Sequence, residues 1–257
     1  MSPAQQTPPP TEHTTTIQLQ PKTPLNDKTT LISSINGSYY HPDSMTSLGC
    51  DVSVDWPAFF TALKMEVPQE RLKTIQGLKM RMKAQRDKAV ELTFDWTGGA
   101  PTGGQEQLES GLKQMLGGFF QFYWSMAASP LIAKPSEITK TEPIAGAGMN
   151  IYTSGGGGTT VTTVDKDYTP THFAVDTPAM KGSIDAHYLP SPSPVAGDLR
   201  RISSMNLTEQ IGTSHMDIAF DIDYQSVDDF NVPKHVGFDV SGAYSIKLEL
   251  SGCTVSK

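Results

Sequence analysis

The sequence contains no uninterrupted apolar run of the roughly 20 residues that a membrane-spanning helix requires. Its most apolar stretch, GGFFQFYWSMAASPLI (117–132), is shorter and includes the polar residues Gln121 and Ser125. Basic residues are scarce as well, since charged residues make up 18% of the chain and the formal net charge is -7. Nucleic-acid binding needs a basic surface. The sequence therefore predicts neither a transmembrane segment nor a nucleic-acid partner.

Motifs for catalysis and metal binding are also missing. No GxSxG elbow occurs, and the carboxylate-rich segment DIDYQSVDD (221–229) lacks the Gly and Glu of an EF-hand loop. The glycine-rich segment SGGGGTT (154–160) lacks the Lys of a phosphate-binding loop. No two histidines have the spacing of a metal-ligand pair. The histidines are His13, His41, His172, His187, His215 and His235. We expect no enzymatic activity, metal or cofactor; an unrecognised hydrolase is the alternative.

Cysteine is nearly absent, with Cys50 and Cys253 as the only two. They lie near opposite ends of the chain and match no zinc or redox motif. Two interpretations follow: two reduced, buried thiols, or one long-range disulfide formed in an oxidising compartment. Because both residues lie in strand-like segments, we predict a Cys50–Cys253 bridge that ties the first strand to the last.

The first residues, MSPAQQTPPPTEHTTT (1–16), contain neither the basic start nor the apolar region of a signal peptide. Their low complexity predicts a disordered leader over residues 1–23. Leaders rich in Pro, Gln and Thr often follow the cleavage site of exported bacterial proteins. We therefore expect a periplasmic or cell-envelope protein whose export signal has been removed. A disordered tail on a cytoplasmic protein is the alternative.

The abundant residues are turn formers, Gly (22) and Pro (19), which favour short strands joined by many turns. A short helix is expected over 25–35, capped by Asn26 or Asp27 and ended by a left-handed residue at Asn36–Gly37. The alternation in CDVSVDW (50–56) predicts a half-buried strand, and Pro57 then starts another helix.

A β-hairpin is predicted in LKMRMKAQRDKAVELTFDW (78–96). Folding it about Asp87 pairs its apolar residues with each other on one face. The same register places Lys83 opposite Glu91 and Lys79 opposite Asp95, so opposite charges meet on the other face.

An amphipathic helix with an aromatic stripe is predicted over about 104–129. Apolar residues recur there at steps of three and four, which is helical periodicity. Glu106 and Glu109 lie in its first turn, where the helix dipole favours them, and Pro130 follows its end. The apolar stretch 117–132 belongs to this helix and is not a membrane anchor.

Strands alone are predicted after Pro135. They lie at 138–144, 148–153, 159–165, 171–176, 182–189, 198–206, 213–225, 234–240 and 243–255. Their alternating apolar and polar residues predict an α+β fold, with one antiparallel sheet that is strongly curved or nearly closed and is covered by a few helices. Residues 24–257 are then a single domain.

The C-terminal half carries a recognisable pattern. Its segments are DKDYTPTHFAV (165–175), DLRRISSM (198–205) and DIDYQSVDDFNVPKHVGFDV (221–240). Together they resemble the lipoprotein-carrier and lipoprotein-sorting family, which has the LolA-like fold. The positions that match this pattern are Tyr224, Phe230, Val232 and Pro233. The resemblance covers roughly residues 140–257, and the N-terminal half follows it only in the order of its elements.

The resemblance implies an incomplete antiparallel β-barrel closed by helices, enclosing an apolar cavity for lipid chains in the bacterial periplasm or envelope. The chain departs from the family in its length and its proline-rich leader. The carrier's ligand-gating arginine has only candidates here: Arg81, Arg200 and Arg201.

Our hypothesis from the sequence is a non-enzymatic envelope protein that binds a lipid, an acyl chain or another apolar ligand between helix and sheet. The expected lining residues are Met80, Phe94, Leu112, Phe119, Phe122, Tyr123, Met126, Met216, Ile218, Phe220 and Tyr224. Ordinary core packing is the alternative, because the same residues also suit a solid core of a structural or interaction protein. Protein partners cannot be inferred from the sequence.

Overall fold

A computed structural model describes residues 27–86, 88–96, 104–126, 128, 130–132, 134–155, 158–177, 181–189, 199–211, 214–241 and 243–257. The helices are α1 (Lys28–Asn36), α2 (Trp56–Ala62), α3 (Gln69–Gln76) and α4 (Gln105–Met126), and a 3-10 turn spans Pro135–Glu137. The first strands are β1 (Ser47–Val54), β2 (Leu78–Gln85) and β3 (Glu91–Trp96). The later strands are β4 (Ile138–Ile144), β5 (Gly148–Gly155), β6 (Gly158–Val164), β7 (Pro170–Asp176), β8 (Lys181–Tyr188), β9 (Ile202–Ile211), β10 (Ser214–Val227), β11 (Phe230–Val240) and β12 (Tyr244–Ser256). The predicted leader, 1–23, and the hairpin tip at Asp87 lie outside the described residues.

These strands form one curved, open sheet in the order β3-β2-β1-β12-β11-β10-β9-β8-β7-β6-β5-β4. Every neighbouring pair is antiparallel. Strands β4 to β12 follow each other as one meander, and β1 to β3 form a second, shorter one. The two meanders meet where β1 pairs with β12. The predicted α+β class with a single antiparallel sheet is confirmed.

Helix α4 owes its position to this topology. It lies between β3 and β4 in the chain, and these two strands are the opposite edges of the sheet. The chain must therefore cross from one edge to the other, and α4 makes this crossing over the apolar face. We call this the inner face; it carries Val52, Met80, Phe220, Phe238 and Leu248. Within the described ranges, no helix is long and apolar enough to cross a membrane.

The predicted hairpin is confirmed in its register. Lys83 pairs with Glu91 and Lys79 with Asp95, while Met80 pairs with Phe94 on the buried face. Alternation decides this register, because a slip of one residue would turn the apolar side chains of β2 to solvent.

Two local predictions are wrong. Trp56 does not extend β1 but opens α2, because the Asp55 carboxylate accepts a hydrogen bond from the Ala58 backbone N–H (3.1 Å) and caps the helix. Gly37 is not left-handed either: its φ is -80°, and its N–H donates to the Ser33 carbonyl (2.9 Å). The expected helix itself is present as α1, with Asp27 as its cap.

The buried side chains form two clusters. The larger lies between α4 and the inner face, and the smaller packs α1 against residues of β4 to β6. Leu131 and Tyr188 pack against both clusters. The core is therefore continuous past the C-terminal end of α4.

Candidate functional site

Nearly all of the predicted lining residues come together between α4 and the inner face. Six are buried: Met80, Leu112, Phe119, Tyr123, Met126 and Phe220. Four more are partly buried and pack against the same cluster: Phe94, Phe122, Ile218 and Tyr224. Met216 differs, because it is 39% exposed near the start of β10 and lies outside the cluster. Their role in ligand binding remains a prediction.

Aromatic rings join α4 directly to the sheet. The Phe119 ring centroid lies 5.5 Å from that of Phe238 and 6.0 Å from that of Phe220. The Phe122 and Phe220 rings are stacked, 5.8 Å apart and 7° from parallel. Such pairs contribute about 0.5–1.5 kcal/mol each beyond the burial of their area. In this structure, protein side chains therefore make the contact between helix and sheet.

The N-terminal part of α4 is attached to the edge strand β3. The Trp96 indole N–H and the Gln105 amide both donate to the Glu109 carboxylate, each at 2.9 Å. The Gln105 hydrogen bond, followed by that of Trp96, holds the pKa of Glu109 below its usual value. Lys113 lies 5.3 Å from the Phe94 ring centroid, as in a cation–π contact.

The C-terminal end of α4 is held by one arginine. The Arg86 Nη2 atom lies within hydrogen-bond distance of four backbone carbonyls, which its two N–H groups share: 2.9 Å from Ala128, 3.1 Å from Met45, 3.2 Å from Asp43 and 3.4 Å from Pro42. It also lies 5.7 Å from the Trp124 ring centroid. Arg86 thus connects the segment before β1 to the chain that leaves α4.

Three glycines make α4 less stable than its length suggests. A Cβ atom at Gly111, Gly117 or Gly118 would meet no heavy atom of the described chain within 4 Å, so close packing there does not require glycine. Each glycine inside a helix costs roughly 0.5–1 kcal/mol relative to alanine. The helix that covers the inner face is thus intrinsically weakened near its middle.

A group of tyrosines surrounds the C-terminal half of α4 at the boundary of the two clusters. Three of their hydroxyls have backbone partners. The Tyr224 hydroxyl donates to the Ile202 carbonyl (2.9 Å), and those of Tyr39 and Tyr40 accept from the Leu131 (3.1 Å) and Asn231 (2.8 Å) backbone N–H groups. The hydroxyls of Tyr123 and Tyr188 are buried and have no hydrogen-bond partner among the described residues.

Burial dominates the acid–base chemistry of this group. It raises the pKa of Tyr123 well above its ordinary value, and the neighbouring Tyr224 and Tyr40 raise it further. Burial also raises the pKa of Tyr188, with Tyr39 and Tyr224 as the next causes. These hydroxyls therefore remain protonated and neutral at physiological pH.

The three candidate arginines occupy different surroundings. Arg81 forms an exposed ion pair with Asp51 (2.7 Å) on the outer face of the sheet. Arg200 pairs with Asp165 (3.3 Å) and Asp167 (3.4 Å). Arg201 instead stands 5.7 Å from the Tyr224 ring centroid. The Arg200 backbone pairs with Tyr39 and Tyr40, whereas Arg201 places its guanidinium beside a tyrosine ring.

The predicted disulfide is present: the sulfur atoms of Cys50 and Cys253 are 2.10 Å apart. It joins β1 to β12, where the two meanders meet, at a break in their register between Gly49 and Asp51. Gly252 takes up the irregularity with a φ of +54°, in the left-handed region that glycine adopts without strain. A disulfide suits an oxidising compartment such as the periplasm.

The polar outer face has a groove of about 670 Å³ across strands β9 to β12 and β1. Its lining includes His235, whose ring lies 3.4 Å from the Asp223 carboxylate, together with Ser53 and Ser203. Ser203 donates its hydroxyl to the His187 carbonyl (3.2 Å), so it is not directed to His235. In the part of the chain that the structure describes, no cluster of three or more side chains could hold a metal.

Known proteins give no match to this chain. The chain matches no family model, and no curated protein or solved structure matches it. The resemblance to LolA-like carriers thus remains an expectation from the sequence, and the site must be interpreted from its own geometry.

Sequence patterns identified the apolar part of the candidate site and also named Tyr123, Tyr224 and Arg201, but they missed its other tyrosines. Tyr39, Tyr40 and Tyr188 were not predicted, because no local spacing links them to α4. The only signal was their side-chain type: tyrosines beside buried strands and turns usually need a partner for the hydroxyl.

Proposed function

We propose that this protein is a non-enzymatic cell-envelope protein that binds a lipid or another apolar ligand between the curved sheet and α4. The observation that carries the proposal is an apolar inner face crossed by the long helix that links the two edges of an open sheet. In this proposal α4 is a displaceable cover. Its movement would leave the strand pairing intact, and an acyl chain would replace its aromatic contacts.

Two further features support α4 as a cover. Gly117 and Gly118 weaken the helix without serving any close contact. The hydroxyls of Tyr123 and Tyr188, which have no partner among the residues that the structure describes, are unsatisfied polar groups at one end of the interface. The Cys50–Cys253 bond, together with the resemblance to LolA-like carriers, supports placing the protein in the envelope.

Native mass spectrometry of gently purified protein tests the proposal. We expect a co-purifying acyl ligand, and we expect the delipidated protein to take up a fluorescent fatty acid in a saturable manner. An apo mass combined with no uptake of the fatty acid would refute ligand binding.

The second candidate is a structural or interaction protein of the envelope with a solid core. The observation that favours it is the direct ring packing of Phe119 and Phe122 on the sheet. In that case the interface between α4 and the inner face never opens to a ligand.

Phe119→Ala distinguishes the two candidates. Phe119 is buried between four aromatic rings, so its truncation should lower the free energy of unfolding by about 3–5 kcal/mol. A ligand-binding wild type should be stabilised by palmitate, by about 2.7 kcal/mol at 100 times Kd, and Phe119→Ala, which has lost a lining side chain, should be stabilised less at the same palmitate concentration. A solid core should show no stabilisation in either. Phe59→Ala is the matched control. The Phe59 ring contacts Trp56 and Tyr244 beside α2, so its truncation should leave the palmitate response unchanged.

A further inference from the structure

Two buried phenol hydroxyls lack a hydrogen-bond partner within the described part of the chain. The Tyr123 hydroxyl lies on a fully buried side chain of α4, and the Tyr188 hydroxyl is buried at the end of β8. Neither has a hydrogen-bond partner among the described residues. A buried polar group without a partner costs free energy, and native proteins therefore leave few of them. Two such hydroxyls in one region are suited to hydrogen-bond a polar group of a bound ligand.

The two hydroxyls belong to one neighbourhood. The Tyr39 and Tyr188 ring centroids are 6.4 Å apart, and Tyr224 contributes to the raised pKa of both Tyr123 and Tyr188. Tyr188 also packs against both apolar clusters. A ligand group at this point would thus lie at the end of the apolar interface formed by α4.

Arg201 brings a positive charge to this neighbourhood. Its guanidinium lies 5.7 Å from the Tyr224 ring centroid and donates to the Asn231 side-chain oxygen (2.8 Å), which is neutral. No carboxylate of the described residues forms an ion pair with it, whereas the preceding Arg200 pairs with Asp165 and Asp167. The charge of the partly buried Arg201 is therefore not compensated by a described acidic side chain.

We propose that Tyr123, Tyr188 and Arg201 bind the anionic headgroup of a single-chain lipid, a carboxylate or a phosphate, whose acyl chain lies along α4. This inference rests on the proposed function, because it names the polar end of the same ligand. The two phenols donate hydrogen bonds to the oxygens of the headgroup, and the guanidinium supplies the charge. A buried water would satisfy the phenols but would leave the charge without a partner.

The test compares ligands that share one chain and differ in their headgroups. Palmitate, palmitoyl lysophosphatidic acid and methyl palmitate are titrated into the full chain, below their micellar concentrations, by displacement of a fluorescent fatty acid. We expect at least one anionic lipid to bind about tenfold or more tightly than the neutral ester. The tighter of the two anions identifies the headgroup as carboxylate or phosphate.

Variants assign the effect to residues. Arg201→Gln should weaken binding of the anionic lipid by about tenfold or more and leave methyl palmitate unchanged, while Tyr123→Phe and Tyr188→Phe should each weaken it by about 2–10-fold. Arg81→Gln on the outer face and Tyr152→Phe, which loses a hydrogen bond to Glu142, are matched controls and should change nothing.

The outcomes separate this inference from the proposed function. Equal affinity for the acid, the phosphate and the ester, unaffected by Arg201→Gln, would overturn the headgroup site while the apolar site stands. If the wild-type protein binds none of the three lipids, both proposals fail. The comparison of ligands on the wild-type protein needs no variant, so a variant that unfolds does not leave the inference untested.

Discussion

Individual side chains divide the interior of this protein into an apolar part and a polar part. Phe119, Phe220 and Phe238 pack ring against ring, and alternation along β10 and β11 turns the last two inward. Tyr123 lies one helical turn after Phe119 and its ring stacks on that of Phe119, yet its hydroxyl has no partner in the described chain. The proposed headgroup site depends on this difference of one oxygen atom between phenylalanine and tyrosine.

The buried tyrosines predict a loss of stability at alkaline pH. Burial raises the pKa of Tyr123, Tyr188 and Tyr224 in the folded protein above their unfolded value of 10.0. The unfolded chain therefore releases protons first as the pH rises. Their contribution to stability is complete below about pH 10 and falls above it, by about 1.4 kcal/mol per pH unit for each tyrosine.

Urea unfolding between pH 9 and 11.5, with tyrosinate absorbance as a second signal, measures this effect. In Tyr123→Phe the free energy of unfolding should fall less steeply with pH, by about 1.4 kcal/mol per pH unit, which is the contribution of one tyrosine. Tyr152→Phe is a control, because Tyr152 lies at the surface and should contribute less. An unfolding midpoint that does not change above pH 10 would contradict the prediction.

Among the elements, α4 combines strong attachment at its ends with a middle that glycines weaken. Its aromatic stripe packs on the inner face, and hydrogen bonds from Trp96 and to Ala128 fix its two ends. Its glycines weaken the middle of the helix. We interpret this combination as firm attachment at the ends with a low cost of deformation between them.

Replacing the mid-helix glycines should stabilise α4. Gly117→Ala and Gly118→Ala meet open space, so each should raise the free energy of unfolding by roughly 0.5–1 kcal/mol. If α4 must move to admit a ligand, the double variant should also take up fatty acid more slowly in stopped-flow fluorescence. Gly148→Ala is a control with the opposite expected effect. At a φ of +129° the added Cβ would lie 1.9 Å from the Val164 carbonyl oxygen, so this variant should be destabilised.

Removing Arg86 should release the C-terminal end of α4. Arg86→Met keeps much of the apolar stem but leaves the carbonyls of Met45 and Ala128 without their donor. We expect a loss of about 1–3 kcal/mol in urea unfolding. Arg81→Met removes only an exposed ion pair and should change stability by about 1 kcal/mol or less. Equal effects of the two variants would show that Arg86 is no more than a surface residue.

At the scale of the whole molecule, the sheet is held together where β1 meets β12. Here residues far apart in sequence pair, and the Cys50–Cys253 bond closes a separation of 203 residues. The Gln225 side-chain amide donates to the Leu250 carbonyl at 2.7 Å and lies 3.4 Å from the Cys253 sulfur. This junction unites the two meanders into one sheet.

Breaking the disulfide should weaken this junction. The bond restricts a long loop in the unfolded chain, so Cys50→Ala together with Cys253→Ala should cost about 2–5 kcal/mol in urea unfolding. Reduction of the wild-type protein should give the same loss. Thiol titration of the denatured, unreduced protein should find no free thiol, and two titratable thiols would refute the bridge.

The sequence by itself determined the local elements and the orientation of their side chains. Alternation predicted the 78–96 hairpin in its register, periodicity predicted α4, and the strand pattern predicted nine later strands. Seven of these have ends within two residues of those observed, whereas β9 was predicted at 198–206 but spans Ile202–Ile211, and β11 was predicted from 234 but begins at Phe230. These properties depend on neighbours in the chain, through the periods of strand and helix. The apolar half of the candidate site followed from the same patterns.

Tertiary structure decided the rest. Only the sheet order makes β3 and β4 opposite edges, and this sends α4 across the inner face. Only long-range packing brings Tyr40 and Tyr224 near Tyr123 of α4 and places Arg201 beside Tyr224, because no period connects residues so far apart in the chain. The tertiary structure also leaves Met216 exposed, although the alternation along β10 predicted that this residue is buried. Local patterns specify which face a side chain occupies, whereas the path of the chain specifies what covers that face.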